Sequence, residues 1–98
     1  MLERSPDYFT SVKKRNQEAL SDFLTTDIDL AFTFLETARI DRDIDPSHSE
    51  EAVTKATEAL DTVRRFLGRI ENIAAREKFH GRASELEAAI LRARSTGC

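Results

Sequence analysis

From Asp7 to Asp45 the chain contains neither glycine nor proline, and its apolar residues recur at helical spacing over most of that length. So long a stretch without a backbone breaker leaves few folds open, because helix propagates until something stops it. Phe9, Val12, Ala19, Leu20, Phe23, Leu24, Ala31, Phe34, Leu35 and Ala38, with Asn16 on the same line, stay in one stripe when each residue advances by about 100°. Ser5-Pro6-Asp7 marks the start: a serine cap, a proline whose missing N–H is not needed in the first turn, and an acid that complements the helix dipole. The pattern predicts one helix over residues 6–41, on the order of 50 Å long. The alternative is a break at Thr25-Thr26, where Thr26 and Asp29 resemble a helix start, which would make four helices instead of three. Ile28 and Phe32 fall beside the stripe, so the second half of the helix is expected to touch two neighbours.

Asp41-Arg42-Asp43-Ile44-Asp45-Pro46 reads as the first loop, since aspartate disfavours helix interiors and Pro46 disfavours the α region for the residue before it. A second helix is expected at about 47–71, capped either by the Ser47-x-x-Glu50 box or by Asp45 with Pro46 in the first turn. Along it Val53, Ala56, Leu60, Val63, Leu67, Ile70 and Ala74 alternate spacings of three and four, with Ala52, Ala59, Phe66 and Ile73 alongside. Two adjoining apolar lines imply more than one packing partner, which places this helix at the centre of a bundle. The apolar phase then jumps to Phe79, Ala83, Leu86, Ile90 and Ala93, so a third helix over 75–95 is expected, with Asn72 as a candidate cap.

The 98 residues are 40% hydrophobic and 34% charged, a composition that suits one helical domain spanning 1–98. No apolar run reaches the roughly 20 residues a membrane span requires, and no leader pattern opens the chain, so a cytoplasmic location and no membrane contact are expected. The lone Cys98 has no partner for an intrachain disulfide. Charge is uneven: residues 1–45 carry 6 Lys/Arg against 10 Asp/Glu, and residues 46–98 carry 9 against 8. Surfaces of opposite sign favour association between copies.

Few residues suggest chemistry. Asp41, Asp43 and Asp45 match the opening of a calcium loop, but Pro46 stands where that loop needs glycine and Ala52 where it needs glutamate, so an acidic turn that caps a helix is expected. Glu77-x-x-His80 has the spacing of a carboxylate-bundle metal site, without the second copy and the further glutamates such a site needs. Arg64, Arg65, Arg69, Arg76, Lys78 and Arg82 gather positive charge near the second turn and suggest an anion or acidic-partner patch, or pairing with the acidic first helix. Nucleic acid is not expected as a partner, because Phe66 and Phe79 sit on core lines and leave no stacking platform. Lys13-Lys14-Arg15 reads as a solvated helix face. No nucleophile elbow or glycine-rich phosphate cradle is present, so neither an enzyme nor a cofactor is expected.

The alanine lines Ala52, Ala56 and Ala59 resemble, over residues 27–73, helical-hairpin modules of the tetratricopeptide kind. There is no second repeat and no tryptophan, and the resemblance implies no function. The expected architecture is an all-α antiparallel three-helix bundle whose first helix outreaches the other two. Its N-terminal half, with Phe9, Val12, Leu20 and Phe23, is expected to lack intramolecular cover. The expected function is a non-enzymatic interaction or scaffold protein that forms a homodimer through this helix. The alternatives are an adaptor docking a different protein and, third, a small metal-binding bundle using Glu77 and His80.

Overall fold

The computed structural model describes residues 6–96, with side-chain surroundings from 11 to 95. Ser5, the Phe9 side chain and Cys98 lie outside the described residues. Three helices follow in order: α1 (Pro6–Asp41), α2 (Pro46–Leu67) and α3 (Ile73–Thr96). The fold is an all-α three-helix bundle in which every pair of helices packs together. It is a rod of 67 × 23 × 16 Å. Its radius of gyration of 17.8 Å exceeds the roughly 13 Å of a compact chain of this length. That excess follows from α1, which at about 1.5 Å per residue reaches about 54 Å.

α1 runs unbroken through Thr25-Thr26, so the four-helix alternative does not form. Burial explains why the weak local propensity is overridden. Leu24 and Ile28, on either side of the threonines, are almost wholly inaccessible and tie both halves to one core. Ile28 corrects the sequence expectation, since it sits at the centre of the buried row Leu24, Ile28, Ala31 and Ala38, with Leu35 half-buried on the same line. Phe32 also packs against this core.

α2 starts on the second of the two expected caps. Asp45 accepts from the His48 backbone N–H at 3.2 Å, and Pro46 opens the helix. α2 meets α1 through small residues: Ala56 and Ala59 are buried in one cluster with Ala31, Ala52 is buried as well, and Ser49 donates from Oγ to the Ala38 carbonyl at 2.7 Å. Side chains of that size let two helix backbones approach closely.

α2 stops at Leu67, four residues before the expected boundary at 71, and the reason lies in tertiary contacts. Arg69 and Ile70 donate to the Phe66 and Leu67 carbonyls at 2.9 and 3.1 Å, tightening the turn. This drops Ile70 into the core, although it is no longer helical. Gln17 of α1 then clasps the turn: its amide donates to the Arg69 carbonyl at 3.0 Å and accepts from the Glu71 N–H at 2.8 Å. α3 begins with Asn72 as expected, its Oδ1 accepting from the Ala75 N–H at 2.8 Å. Ala74, expected on the α2 seam, is exposed, as is Ile73. Ala83, Leu86 and Ile90 of α3 are buried, and Phe79 packs beside them.

The helices keep constant register. Gln17 lies 21 residues before Ala38 and Ser49 lies 21 before Ile70, so the two ends of the α1–α2 contact are fastened in phase. Arg64 pairs with Glu87 and Thr57 with Arg94, seven residues further along each helix in opposite directions. α1 and α2 are therefore antiparallel, as are α2 and α3.

Gln17→Ala removes both bonds to the turn and is expected to lower stability in urea unfolding by about 1–2 kcal/mol. The neighbouring Asn16→Ala, at an exposed position, is expected to stay within roughly 0.5 kcal/mol. Equal effects of the two substitutions would contradict the clasp.

Candidate interaction surfaces

α1 carries two apolar rows. The first faces the core. The second, about 90° around the helix, runs through Val12, Asn16, Ala19, Phe23, Asp27, Leu30 and Phe34. Leu30 is 46% exposed and Phe23 44%. With Phe34 they line a shallow groove beside Lys55, Glu58 and Thr62 of α2. Lys55 covers part of it, its Nζ lying 5.7 Å from the Phe34 ring centre. Asp27 sits within this row, and partial burial pushes its carboxyl pKa up.

The four residues expected on the uncovered end are distributed differently. Leu20 packs against the core, because its row is the inner one. Phe23 turns its ring edge-on to Phe66 of α2, with centroids 6.1 Å apart. Val12 is half-buried. Since Gln17 already touches the α2–α3 turn, the part of α1 that projects past it is its first eleven residues, Pro6 to Asn16. Phe9 belongs to that segment.

Four of the six cations near the second turn are engaged separately. Arg64 forms a bidentate pair with Glu87 at 2.9 and 3.3 Å, which holds the Glu87 carboxyl below the usual range. Arg69 stacks over Phe66 at 4.8 Å. Arg76 donates to the Ile70 carbonyl at 3.3 Å. Arg82 pairs with Asp29 at 2.9 Å and lies 5.4 Å from the Phe32 ring centre, which is the expected link to the acidic first helix. Arg65 and Lys78 are exposed. Arg64 and Arg82 are thus directed to partners on different helices.

The acidic turn does structural work. Asp45 caps α2, and the Asp41 carbonyl accepts from the N–H groups of Ile44 and Asp45 at 3.0 and 2.7 Å. The Asp41 carboxylate accepts from His48 Nδ1 at 2.5 Å. Glu77 and His80 are exposed on α3. Among the described residues no group of three His, Cys, Asp or Glu side chains is placed to hold a metal ion. No described helix is long and apolar enough to cross a membrane.

No known protein family, curated protein or solved structure matches this chain.

The hydrogen bond to Asp41, reinforced by the charge of its carboxylate, raises the His48 pKa above its ordinary 6.5. A raised folded-state value means that the charged imidazole favours the folded chain. That contribution is complete below pH 6.5 and is lost as pH climbs through the higher folded-state pKa. NMR titration of the His48 ring is expected to give a midpoint above 6.5, falling back in Asp41→Asn; an unmoved midpoint would contradict the pairing.

Proposed function

We propose that this chain is a non-enzymatic helical interaction protein that self-associates through α1. The observation that supports this is the second apolar row of α1, in which Phe23 and Leu30 remain open to solvent although α2 and α3 are both in place. Single exposed apolar residues are ordinary on protein surfaces. Here they repeat along one line of an unbroken helix, with half-buried Phe34 continuing it and Val12 on the segment that projects beyond the bundle. Burying such a side chain contributes about 1.5–3 kcal/mol, so two copies that align these rows gain from several contacts at once. A pairing through the same patch on each copy is closed and does not propagate into a fibre.

The polar members of the row supply register. Asn16 and Asp27 interrupt the apolar sequence at fixed points, and polar residues at such positions select one alignment of paired helices over others.

Size-exclusion chromatography with light scattering at micromolar concentration is expected to return twice the chain mass of 11.1 kDa. Leu30→Asp places a charge on the row at a site 46% exposed in the single chain. It is expected to shift the protein to monomer with at least a tenfold weaker dimer constant, about 1.4 kcal/mol, and little change in helix content. A wild-type monomer, or a Leu30→Asp protein that dimerises as well as wild type, would contradict the proposal.

A further inference from the structure

A second concave surface lies at the opposite end of the molecule, where α1 approaches its C-terminus. It is a groove of about 490 Å3 between the ends of α1 and α3, with α2 beneath. Its floor is apolar and small: Ala38, Val53, Ala89 and Ala93, beside Phe32 and Leu35. Ser49, the polar floor residue, already donates its hydroxyl to Ala38, and among the described residues no buried side-chain polar atom lacks a partner. The floor therefore offers apolar contact and asks for no polar atom in return.

The walls are cationic. Arg39 stands on α1, Arg42 on the turn that follows it and Arg92 on α3, and Glu36 is the single carboxylate among the lining residues. Arg39 shares its guanidinium with Glu36, while Arg42 and Arg92 are held by interactions within the chain. The lining carries three positive charges against one negative, in a protein whose formal net charge is −3. A local excess of opposite sign to the whole molecule selects an acidic occupant.

The geometry selects its shape. α1 and α3 both run antiparallel to α2, so they are parallel to each other and the groove follows their direction. Along α1 from Phe32 to Arg39 it extends for roughly 10 Å, about two helical turns. This is the open position of a four-helix arrangement. Cations stand on both walls, so an occupant needs acidic groups on both flanks of an apolar edge. A helix provides that pattern, whereas a fatty acid presents one carboxylate at one end. The projecting end of a second copy is disfavoured, because residues 1–16 contain Arg4, Lys13, Lys14 and Arg15 against Glu3 and Asp7. We propose that the groove between α1 and α3 seats an amphipathic helix of a partner protein, its leucine-like edge on the alanine floor and its acidic flanks against Arg39, Arg42 and Arg92.

Two synthetic labelled peptides test this, each about four helical turns long with leucines at helical spacing. One carries glutamate on both flanks and the other lysine. Fluorescence anisotropy with the full chain is expected to show binding of the glutamate peptide, weakened by salt, and at least about tenfold weaker binding of the lysine peptide. Arg39→Glu with Arg92→Glu, both at exposed positions, is expected to cost the glutamate peptide at least about tenfold. Ala89→Phe fills the groove without altering its charge and is expected to do the same. If the glutamate double variant unfolds, Arg39→Gln with Arg92→Gln is expected to lower affinity in the same direction. Leu30→Asp leaves this groove intact and is expected to bind the peptide normally, which separates the outcome from that of self-association. In amide NMR spectra the peptide is expected to move Ala38, Ala89 and Ala93.

The proposal is overturned by glutamate-peptide binding that is absent up to about 1 mM, equal to that of the lysine peptide, or indifferent to the groove variants. It is overturned too if the shifts fall on Phe23 and Leu30. Dodecanoate moving the floor signals where the glutamate peptide does not would assign the groove to a fatty acid and overturn the helix.

Discussion

The close approach of α1 to α2 over small side chains is the contact on which the rest of the structure depends. Ala31 and Ala38 on one helix and Ser49, Ala52, Ala56 and Ala59 on the other allow it, and the Ser49–Ala38 hydrogen bond fastens it. At the far end of the hairpin the filling is large instead: Leu24, Ile28, Leu60, Val63, Leu67, Ile70 and Leu86 are all buried there. The core is therefore graded, bulky near the α2–α3 turn and thin near the α1–α2 turn. Where it is bulky, α3 closes over it. Where it is thin, Ala89 and Ala93 of α3 are too short to fill the space, and a groove remains. Packing and the binding surface proposed for this end have one origin.

Continuity of α1 is the second consequence. A helix held on one side by Leu24, Ile28, Ala31 and Ala38 cannot bend at Thr25-Thr26 without lifting Leu24 or Ile28 from the core, and emptying such a site costs about 2–5 kcal/mol. The unfavourable helix propensity of two threonines is much smaller, under about 1 kcal/mol each. Being unbroken and longer than its partners, α1 carries a row of apolar residues on a face that the bundle does not use. Its inner and outer rows have separate roles: the inner one builds the fold, and the outer one supports the proposed self-association.

Much of this architecture was legible in the sequence, because periodicity and capping are local signals. The end of α1 at Asp41, the Asp45-Pro46 start of α2 and the Asn72 cap of α3 all rest on residues that act on their own neighbours. The features that escaped are non-local. Ile28 falls beside a single stripe drawn along the whole of α1, because that stripe mixes two rows that face different ways. The early end of α2 depends on Gln17, more than fifty residues away, and a half-exposed glutamine gives no periodic signal. Helix lengths alone place Leu20 and Phe23 on an uncovered end, but they do not reveal where the hairpin is pinned. The groove was hidden for another reason: alanines at core spacing look alike whether a neighbouring helix fills the space above them or leaves it open.

The bundle depends on α1 being one unbroken helix, and a distance along it measures this directly. Spin labels at Lys14→Cys and Ile40→Cys, in a Cys98→Ser background and diluted with unlabelled protein, report one intramolecular separation by pulsed electron resonance. An unbroken helix across those 26 residues predicts a single narrow population near 39 Å, from a rise of about 1.5 Å per residue. A broad distribution, or one centred below about 30 Å, would mean that α1 folds at its paired threonines and would contradict the account.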